Sequence, residues 1–390
     1  MSKEEILKNF DQWLENGSEF AAIVMRQWLE PIQGTDSVIF PPTYATPERS
    51  KEENWIGYNI DGEGATSVCQ IDSVGSQANR MEPIFKRDPY RKLVPQIIIK
   101  ATTEGKERKI NLLDAGHRAA DAIVRFSQLG PELHEAFQLY RDEGNVEPLA
   151  RIAPTSIIFG SWDSRATQAK LPRIVRSVIR AYDVKVLHRS AQYETIAGEM
   201  LEGVDVEVTT KGPKAELGLA HVPAAWTHGG IQVFGEVRRD AILKLATIRA
   251  LTAKDEKSAA KLQRYLLGLA LVSFTATPET FLREGCELVT SPTRAVEWKL
   301  VRNDGTREDG MIEHDLALSF ATASAEDFGV RNRQSVIFDS RLALNVMNLK
   351  EKDRKKLFKQ GPVTNEKIEI LKKKSKTKSG APKAKKETKN

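Results

Sequence analysis

The feature that most constrains the fold is a short apolar run followed by small and polar residues and then by an amphipathic segment. This pattern occurs twice. Ser67–Ile71 is the first apolar run, and it leads into the polar segment Ser73–Arg80. Thr155–Gly160 is the second, followed by a polar turn at Ser161–Gln168 and by apolar residues at helical spacing over Leu171–Tyr182. Such runs predict buried strands, and apolar residues three and four apart predict helices. Strands interspersed with helices indicate an α+β fold.

The rest of the chain fits the same mixture. Residues 1–33 predict an N-terminal helical segment, whose second helix begins at Ser18 and ends before Pro31. The other predicted strands are Gln96–Lys100, Val204–Thr209, Ile231–Val237, Ala295–Val301 and Ser335–Phe338. The other predicted helices are one capped by Asp114 that ends at Gly130, one that begins at Pro131, and those at Asp240–Leu251 and Ser258–Phe274. We therefore expect one domain over residues 34–350, with insertions at about 34–65 and 199–230.

Charge is distributed unevenly along the chain. Residues 372–390 contain nine Lys and one Glu, so this end carries +8 while the other residues sum to −2. With almost nothing apolar to bury, residues 351–390 are expected to be a disordered basic tail. The one basic stretch in the body is Arg151–Ser190, where eight Lys or Arg stand against two Asp. Nucleic-acid binding by the folded part must therefore depend on this stretch.

Several classes of protein find no support in the sequence. The longest largely apolar run, Leu266–Phe274, is too short to cross a bilayer, and the polar N-terminus is unlike a secretory signal, so we expect a cytoplasmic protein without a membrane partner. Cys69 and Cys286 are far apart, which argues against a cysteine zinc site. Phosphate-loop and dinucleotide fingerprints are absent, so no cofactor is predicted.

The stretch from Gly160 to Arg180 carries the best candidate for RNA binding. Arg173, Arg176 and Arg180 are spaced three and four apart, which on a helix makes a basic ridge one turn after Lys170. Hydroxyl side chains precede that helix, and a helix N-terminus suits a phosphate oxygen. Trp162 can stack on an unpaired base. The alternative is a solvated helix face with Trp162 in the core. The Ser73–Arg80 segment offers a second polar helix start of the same kind.

Three longer motifs together resemble a known family. They are Ile71–Glu82 (IDSVGSQANRME), Leu113–Asp121 (LDAGHRAAD) and Phe159–Ser177 (FGSWDSRATQAKLPRIVRS). In this order they resemble the RAMP-superfamily backbone subunit of the type I-G (formerly I-U) CRISPR surveillance complex, Cascade. The likeness covers roughly residues 36 to 340.

The resemblance implies an RRM-like palm of the ferredoxin type, βαββαβ, with large insertions. It implies a non-catalytic subunit, several copies of which bind along one CRISPR RNA beside other Cascade subunits, while the guide pairs with target DNA. By position it assigns guide contacts to two groups of residues, some of which could instead contact the neighbouring subunit. The first group is Ser76, Gln77, Asn79 and Arg80, and the second is Trp162, Ser164, Arg165, Lys170, Arg173 and Arg176.

Two other functions stay open. Related backbone subunits of type III complexes cut RNA with a loop aspartate, so a metal-dependent endonuclease could use Asp61 or Asp205. A small-molecule enzyme could use His117 paired with Asp114 or Asp121, which would share one face of a helix. The alternative for these residues is a capping aspartate followed by solvent-facing polar side chains.

Overall fold

The computed structural model describes residues 2–45, 57–196, 200, 209–330 and 334–371. In chain order the strands are β1 Phe20–Pro31, β2 Val38–Ile39, β3 Ile60–Asp61, β4 Val68–Asp72, β5 Ile97–Thr103, β6 Lys106–Asn111, β7 Ser161–Trp162, β8 Lys170–Leu171, β9 Val175–Tyr182, β10 Val184–Tyr193, β11 Val222–Val233, β12 Val237–Lys244, β13 Phe281–Arg283, β14 Cys286–Thr290, β15 Glu297–Arg302, β16 Arg307–Asp309 and β17 Gln334–Ile337.

The described α-helices are α1 Lys3–Lys8, α2 Asp11–Leu14, α3 Val74–Met81, α4 Ala122–Arg125, α5 Gly130–Glu143, α6 Glu147–Ile152, α7 Thr155–Ile158, α8 Pro213–Glu216, α9 Leu245–Arg249, α10 Glu256–Thr275, α11 His314–Phe328, α12 Ser340–Met347 and α13 Glu351–Lys359. Short 3-10 turns connect several of them, at Gly64–Thr66, Glu82–Lys86, Tyr90–Leu93, Leu112–Asp114 and Arg118–Ala120.

The centre of the molecule is an antiparallel sheet in the order β15-β1-β12-β9-β4-β3. Within it, β1, β9, β12 and β15 are the four strands of a ferredoxin-type palm, because the first strand lies between the third and the fourth and the second lies beside the third. Helix α10 connects β12 to β15, as the second helix of that motif does. The predicted α+β class and palm are confirmed.

The two faces of the sheet differ sharply. On β12 the odd-numbered residues Val237, Arg239, Ala241 and Leu243 are buried, and the even-numbered residues between them are half-exposed. The buried face carries most of the core, together with α10 and α11. The other face, which we call the open face, presents Arg176 and Arg180 of β9. The alternation is the period of two that a half-buried strand requires.

Residues 20–31 correct the prediction of an N-terminal helix. They form β1, which pairs with β12 over Ala22–Leu29 and lies in the middle of the sheet. The apolar run there fits a helix and a strand equally, and only the pairing with distant strands separates the two. The 1–33 segment is helical only at its start, in α1 and α2.

The prediction for the basic stretch was wrong in a similar way. Thr155–Ile158 is one helical turn instead of a strand, and Val175–Tyr182 is the strand β9 instead of a helix. Ile174, Val175, Val178 and Ile179 are all buried, so their spacing satisfied both patterns. β9 pairs with β12 on one side and β4 on the other. Residues 240–244 likewise belong to β12, and the helix there, α9, begins only at Leu245.

The remaining predictions have mixed outcomes. Strands β4, β5, β15 and β17 and helices α3, α5 and α10 lie where the sequence places them. Asp114 does not begin a helix: residues 112–120 form 3-10 turns, and Asp121 caps α4 by accepting from the Ile123 N–H. The insertion at 199–230 contains the first part of β11, which forms a long hairpin with β10. The strand predicted at Val204–Thr209 lies outside the described residues except for Thr209.

Part of the segment that the sequence assigns to a disordered tail is folded. Residues 351–371 are folded, because Leu357, Ile368 and Leu371 pack with Leu342 and Val346 of α12 in a small hydrophobic cluster. The sequence signal for this folded segment was the set of four apolar residues Leu357, Val363, Ile368 and Leu371 among the lysines. The residues that carry the +8 charge lie outside the described part of the chain.

A second hydrophobic cluster on the buried side of the sheet contains both cysteines. Cys69 of β4 and Cys286 of β14 are fully buried free thiols. Burial raises the pKa of Cys69 to about 12 and that of Cys286 to about 11. Across the described ranges, every helix falls short of the length and apolar character that a membrane span requires.

Candidate nucleic-acid interface

One buried arginine joins the three sequence motifs. The Arg118 side chain lies 2.7 Å through its Nε from the Glu82 carboxylate, and it donates from Nη2 to Asn79 Oδ1 at 2.9 Å. Its Nη1 donates a longer bond, 3.4 Å, to the Gly160 carbonyl. The Arg118 backbone has a φ of 53°, which non-glycine residues rarely adopt. The loop is therefore held in an unusual conformation that brings all three motifs to one place.

Gly160 allows the Arg173 side chain to pack closely against the backbone where the three motifs meet. Its φ is +77°, and a Cβ there would come within 2.8 Å of the Arg173 Cγ. Arg173 is exposed, and partial burial of its guanidinium lowers its pKa, with the charges of Arg118 and Arg176 lowering it further. Within the described ranges, neither Arg173 nor Arg176 forms an ion pair. Three guanidinium groups so close together favour the approach of an anion.

A small hairpin beside Arg173 presents an aromatic ring. Trp162 of β7 pairs with Lys170 of β8, and the Lys170 Nζ lies 5.6 Å from the centre of the indole. The Trp162 side chain is 56% exposed, which removes the core alternative for this residue. An exposed indole next to a cation is a surface on which a base can stack.

The turn of that hairpin is rigid because of Asp163. Its carboxylate accepts from the N–H and the hydroxyl of Thr167 and from Arg125 Nη2 at 2.8 to 3.0 Å. Burial alone would raise the pKa of Asp163, but these hydrogen bonds and the Arg125 charge outweigh burial and lower it. Ser164 is half-buried and Arg165 exposed on the same turn. No helix begins here, so the predicted phosphate site at a helix N-terminus is wrong.

The predicted arginine ridge becomes part of the open face of the sheet. Arg176 and Arg180 alternate with the buried residues of β9 and point to the same side. They line a groove of about 430 Å³ with an aliphatic floor of Val24, Val178 and Ile242. Arg26, in the same groove, lies 3.5 Å from Asp240. The basic surface around Arg173 therefore continues onto the sheet.

The first predicted group of contacts divides into exposed and buried residues. Asn79 is exposed and Ser76 half-buried on α3, whose N-cap is Ser73. Gln77 is buried. Its side-chain amide donates to Asp72 at 2.6 Å and accepts from the Ser177 hydroxyl at 2.8 Å. Arg80 pairs with Asp72 at 3.1 Å and donates to the Leu282 carbonyl at 2.6 Å. The buried carboxylate of Asp72 turns both side chains inward, so we assign Gln77 and Arg80 to the fold.

Arg118 is the residue that the sequence analysis did not select as a site residue. It lies in the LDAGHRAAD motif, which was the signal available. Its neighbour in sequence, His117, is exposed. We call the exposed residues Asn79, His117, Trp162, Arg165, Lys170, Arg173 and Arg176 the convergence surface.

Among the described residues, those of the alternative functions do not form a catalytic group. Asp114 pairs with Lys86, and the His117 backbone N–H donates to Asp121 Oδ2 at 3.3 Å. These residues lie in 3-10 turns instead of one helix. Asp61 is exposed at the end of β3, and Asp205 lies outside the described residues. Over the described ranges, no group of three or more His, Cys, Asp or Glu could hold a metal ion.

Comparison with known proteins supports a CRISPR-associated role. Residues 23–186 match the family model described as CRISPR-associated protein GSU0053. The matched region runs from β1 into β10, so it contains β9 and the whole convergence surface. A search of curated proteins found no match.

Proposed function

We propose that this chain is a non-catalytic CRISPR RNA-binding subunit. In this proposal it oligomerises along the guide in a Cascade complex of type I-G and supports guide-directed recognition of target DNA. The observation that carries it is the meeting of three distant motifs at Arg118. Arg173 and Arg176 are exposed near this meeting point, and Lys170 is exposed beside Trp162. Cations that lack carboxylate partners suit phosphates, and the indole suits an unpaired base.

The composition of the surface favours binding to the backbone of a single strand. Its cations are arginine and lysine, which bind phosphate without reading sequence. One exposed aromatic ring can accept any base, because every base has a stacking face. A guide that must pair freely with target DNA requires this division, in which protein holds the backbone and pairing reads the sequence.

Salt dependence of RNA binding tests the proposal. If each copy neutralises about three phosphates, log K should fall with log salt with a slope of about −2 per copy, from the single-strand coefficient of roughly −0.7 per phosphate. Fluorescence anisotropy with unstructured RNAs of different sequence should give similar affinities, and light scattering should show several copies per RNA. An affinity that is independent of salt, or tied to one base sequence, would contradict it.

The same preparation separates binding from cleavage. Incubation of the RNA with Mg²⁺ or Mn²⁺ should leave it intact. Metal-dependent cleavage that is lost in Asp61→Asn would favour the endonuclease instead. Co-purification from the native operon, followed by extraction of the bound nucleic acid, identifies the guide.

A further inference from the structure

A second arginine is buried on the opposite side of the sheet from the open face. Arg239 of β12 is 2% exposed. Its Nε donates to Ser177 Oγ at 3.0 Å and its Nη1 to Gln27 Oε1 at 3.3 Å. Its Nη2 reaches only the Met81 sulfur, at 3.7 Å, and sulfur is a weak acceptor. A guanidinium has five N–H donors, so part of its capacity is unused.

Arg239 has no acidic counter-ion in the part of the chain that the structure describes. Within the ranges that the structure describes, no carboxylate forms an ion pair with Arg239, and its hydrogen-bond acceptors are neutral. Burial lowers its pKa to about 10, so the group keeps its charge at neutral pH. A buried charge without a partner is unfavourable by several kcal/mol. An anion bound beside it would remove that cost.

Arg239 lines a cavity that other arginines share. The cavity has a volume of about 140 Å³ and lies between β1, β12, α3 and the segment 276–290. Arg80 lies in its wall and Arg87, which is exposed and has no ion pair among the described residues, lies at its edge. Thr280 and Thr290 add hydroxyl groups.

The charges around the cavity do not balance. Arg80 and Arg283 share the single carboxylate of Asp72, at 3.1 and 3.2 Å. Glu279 is the acidic residue in the lining, and it is exposed. The groups counted are the guanidinium groups of Arg80, Arg87, Arg239 and Arg283 and the carboxylates of Asp72 and Glu279. Together they carry a net charge of +2.

We propose that this cavity binds a phosphate dianion, either inorganic phosphate or the terminal phosphate of a phosphomonoester. Such a group carries about −1.5 to −2 at pH 7, which matches the excess charge, and its oxygens accept the unused N–H groups of Arg239. A phosphodiester carries only one negative charge and would have to bring two chain continuations into the cavity. The site is separate from the convergence surface and does not depend on the proposed function.

Thermal denaturation of the full chain with sodium phosphate, against sodium chloride of equal ionic strength, tests this site. We expect saturating phosphate to raise the Tm by roughly 2 °C or more. Arg239→Met, which keeps an unbranched apolar side chain but removes the guanidinium group, should abolish the shift, and Arg239→Lys should retain part of it. The double variant Arg173→Ala/Arg176→Ala should keep the full shift, which separates this site from the RNA surface.

Isothermal titration calorimetry of the unaltered protein with phosphate keeps the proposal falsifiable if Arg239→Met does not fold. Arg87→Ala, at an exposed position, should then weaken phosphate binding several-fold. The proposal is overturned if phosphate neither stabilises nor binds the protein, or if phosphate binding survives unchanged in a folded Arg239→Met variant.

Two ligand sources can be separated by the same titration. Free phosphate as the natural ligand predicts that phosphate binds at least as well as a nucleoside 5′-monophosphate. A terminal phosphate predicts that an RNA with a 5′-phosphate competes with inorganic phosphate while the same RNA with a 5′-hydroxyl does not.

Discussion

Arg118 Nη2 donates to Asn79 Oδ1 at 2.9 Å and so joins residues that are 39 positions apart. The same guanidinium reaches Glu82 and the Gly160 carbonyl. A buried, planar group with donors in fixed directions fixes the relative position of the segments it bonds. Arg118 is thus a positioning residue for the convergence surface, while Arg173 and Arg176 are free to contact a ligand.

Removal of the free cations should weaken RNA binding without unfolding the protein. In Arg173→Ala/Arg176→Ala we expect a loss of at least about tenfold in affinity, the equivalent of one charge-assisted hydrogen bond. The Tm should change little, because both side chains are exposed. Arg341→Ala, at an exposed position of α12, is the matched control and should bind normally. An early-melting double variant with normal affinity would show that these arginines are structural.

Trp162 should contribute through its ring. A base stacked on an aromatic side chain is worth about 1 to 3 kcal/mol, so Trp162→Ala should weaken binding by roughly 5- to 150-fold. Trp162→Phe should retain much of the affinity, because it keeps an aromatic face. Anisotropy measures the affinity. If both variants bind RNA with the same affinity as the unaltered protein, stacking at this residue is excluded.

Ile174, next to Arg173 in sequence, should behave in the opposite way. It is fully buried in the main core, so Ile174→Ala should lower the free energy of unfolding by about 2 to 5 kcal/mol. At a temperature where the variant stays folded, its RNA affinity should be close to normal. Denaturant titration followed by anisotropy at low temperature checks both values, and an unchanged stability would place Ile174 outside the core.

The buried carboxyl of Glu82 should make stability depend on pH. Burial raises its pKa to about 7, and the Arg118 charge offsets burial only in part. Because the folded state then holds a proton that the unfolded state releases above about pH 4.5, this group lowers stability as pH rises from about 4.5 to about 7. Glu82→Gln, which cannot ionise, should therefore gain Tm relative to the unaltered protein over that interval. Melting curves of both proteins at pH 5, 6, 7 and 8 give this difference in Tm. A difference that is the same at all four pH values would contradict the prediction.

The two parts of the basic C-terminus should respond differently to truncation. A chain ending at Leu371 keeps the cluster of Leu357, Ile368 and α12, so its Tm and its assembly with RNA at moderate salt should be unchanged. A chain ending at Lys350 loses that cluster and should melt earlier. Scanning calorimetry and light scattering measure the two effects. Loss of assembly in the chain that ends at Leu371 would make the lysine-rich segment 372–390 a docking element.

The errors of the sequence analysis concern strands whose partners are far away in the chain. Val175–Tyr182 contains apolar residues at spacings that fit either a helix or a strand, and its arginines fit a helical ridge equally well. Backbone pairing of Arg176 with Ile242 and of Arg180 with Arg238 determines the outcome. That pairing is a long-range property, which a local period does not contain. By contrast, α10 was predictable, because its 20 residues begin at the Asp255 cap and carry a continuous apolar pattern.

The same distinction applies to the site. Asn79, Trp162 and Arg173 were predictable as contact residues from two motifs that are distant in sequence, and the structure brings those motifs together. Gln77 and Arg80 could not be separated from Asn79 by sequence, because only the buried position of Asp72 determines which polar side chains turn inward. Arg118 was hidden for a related reason, since its burial depends on contacts with residues of the other two motifs.

The state of the two thiols makes the chain a convenient carrier for probes. Cys69 and Cys286 are inaccessible and stay protonated, so neither reacts readily with maleimide or iodoacetamide while the protein is folded. One cysteine introduced at an exposed position outside the convergence surface, such as Arg341 of α12, would be the single site of labelling. Fluorescence transfer between differently labelled copies could then report their spacing along an RNA without removal of either native cysteine.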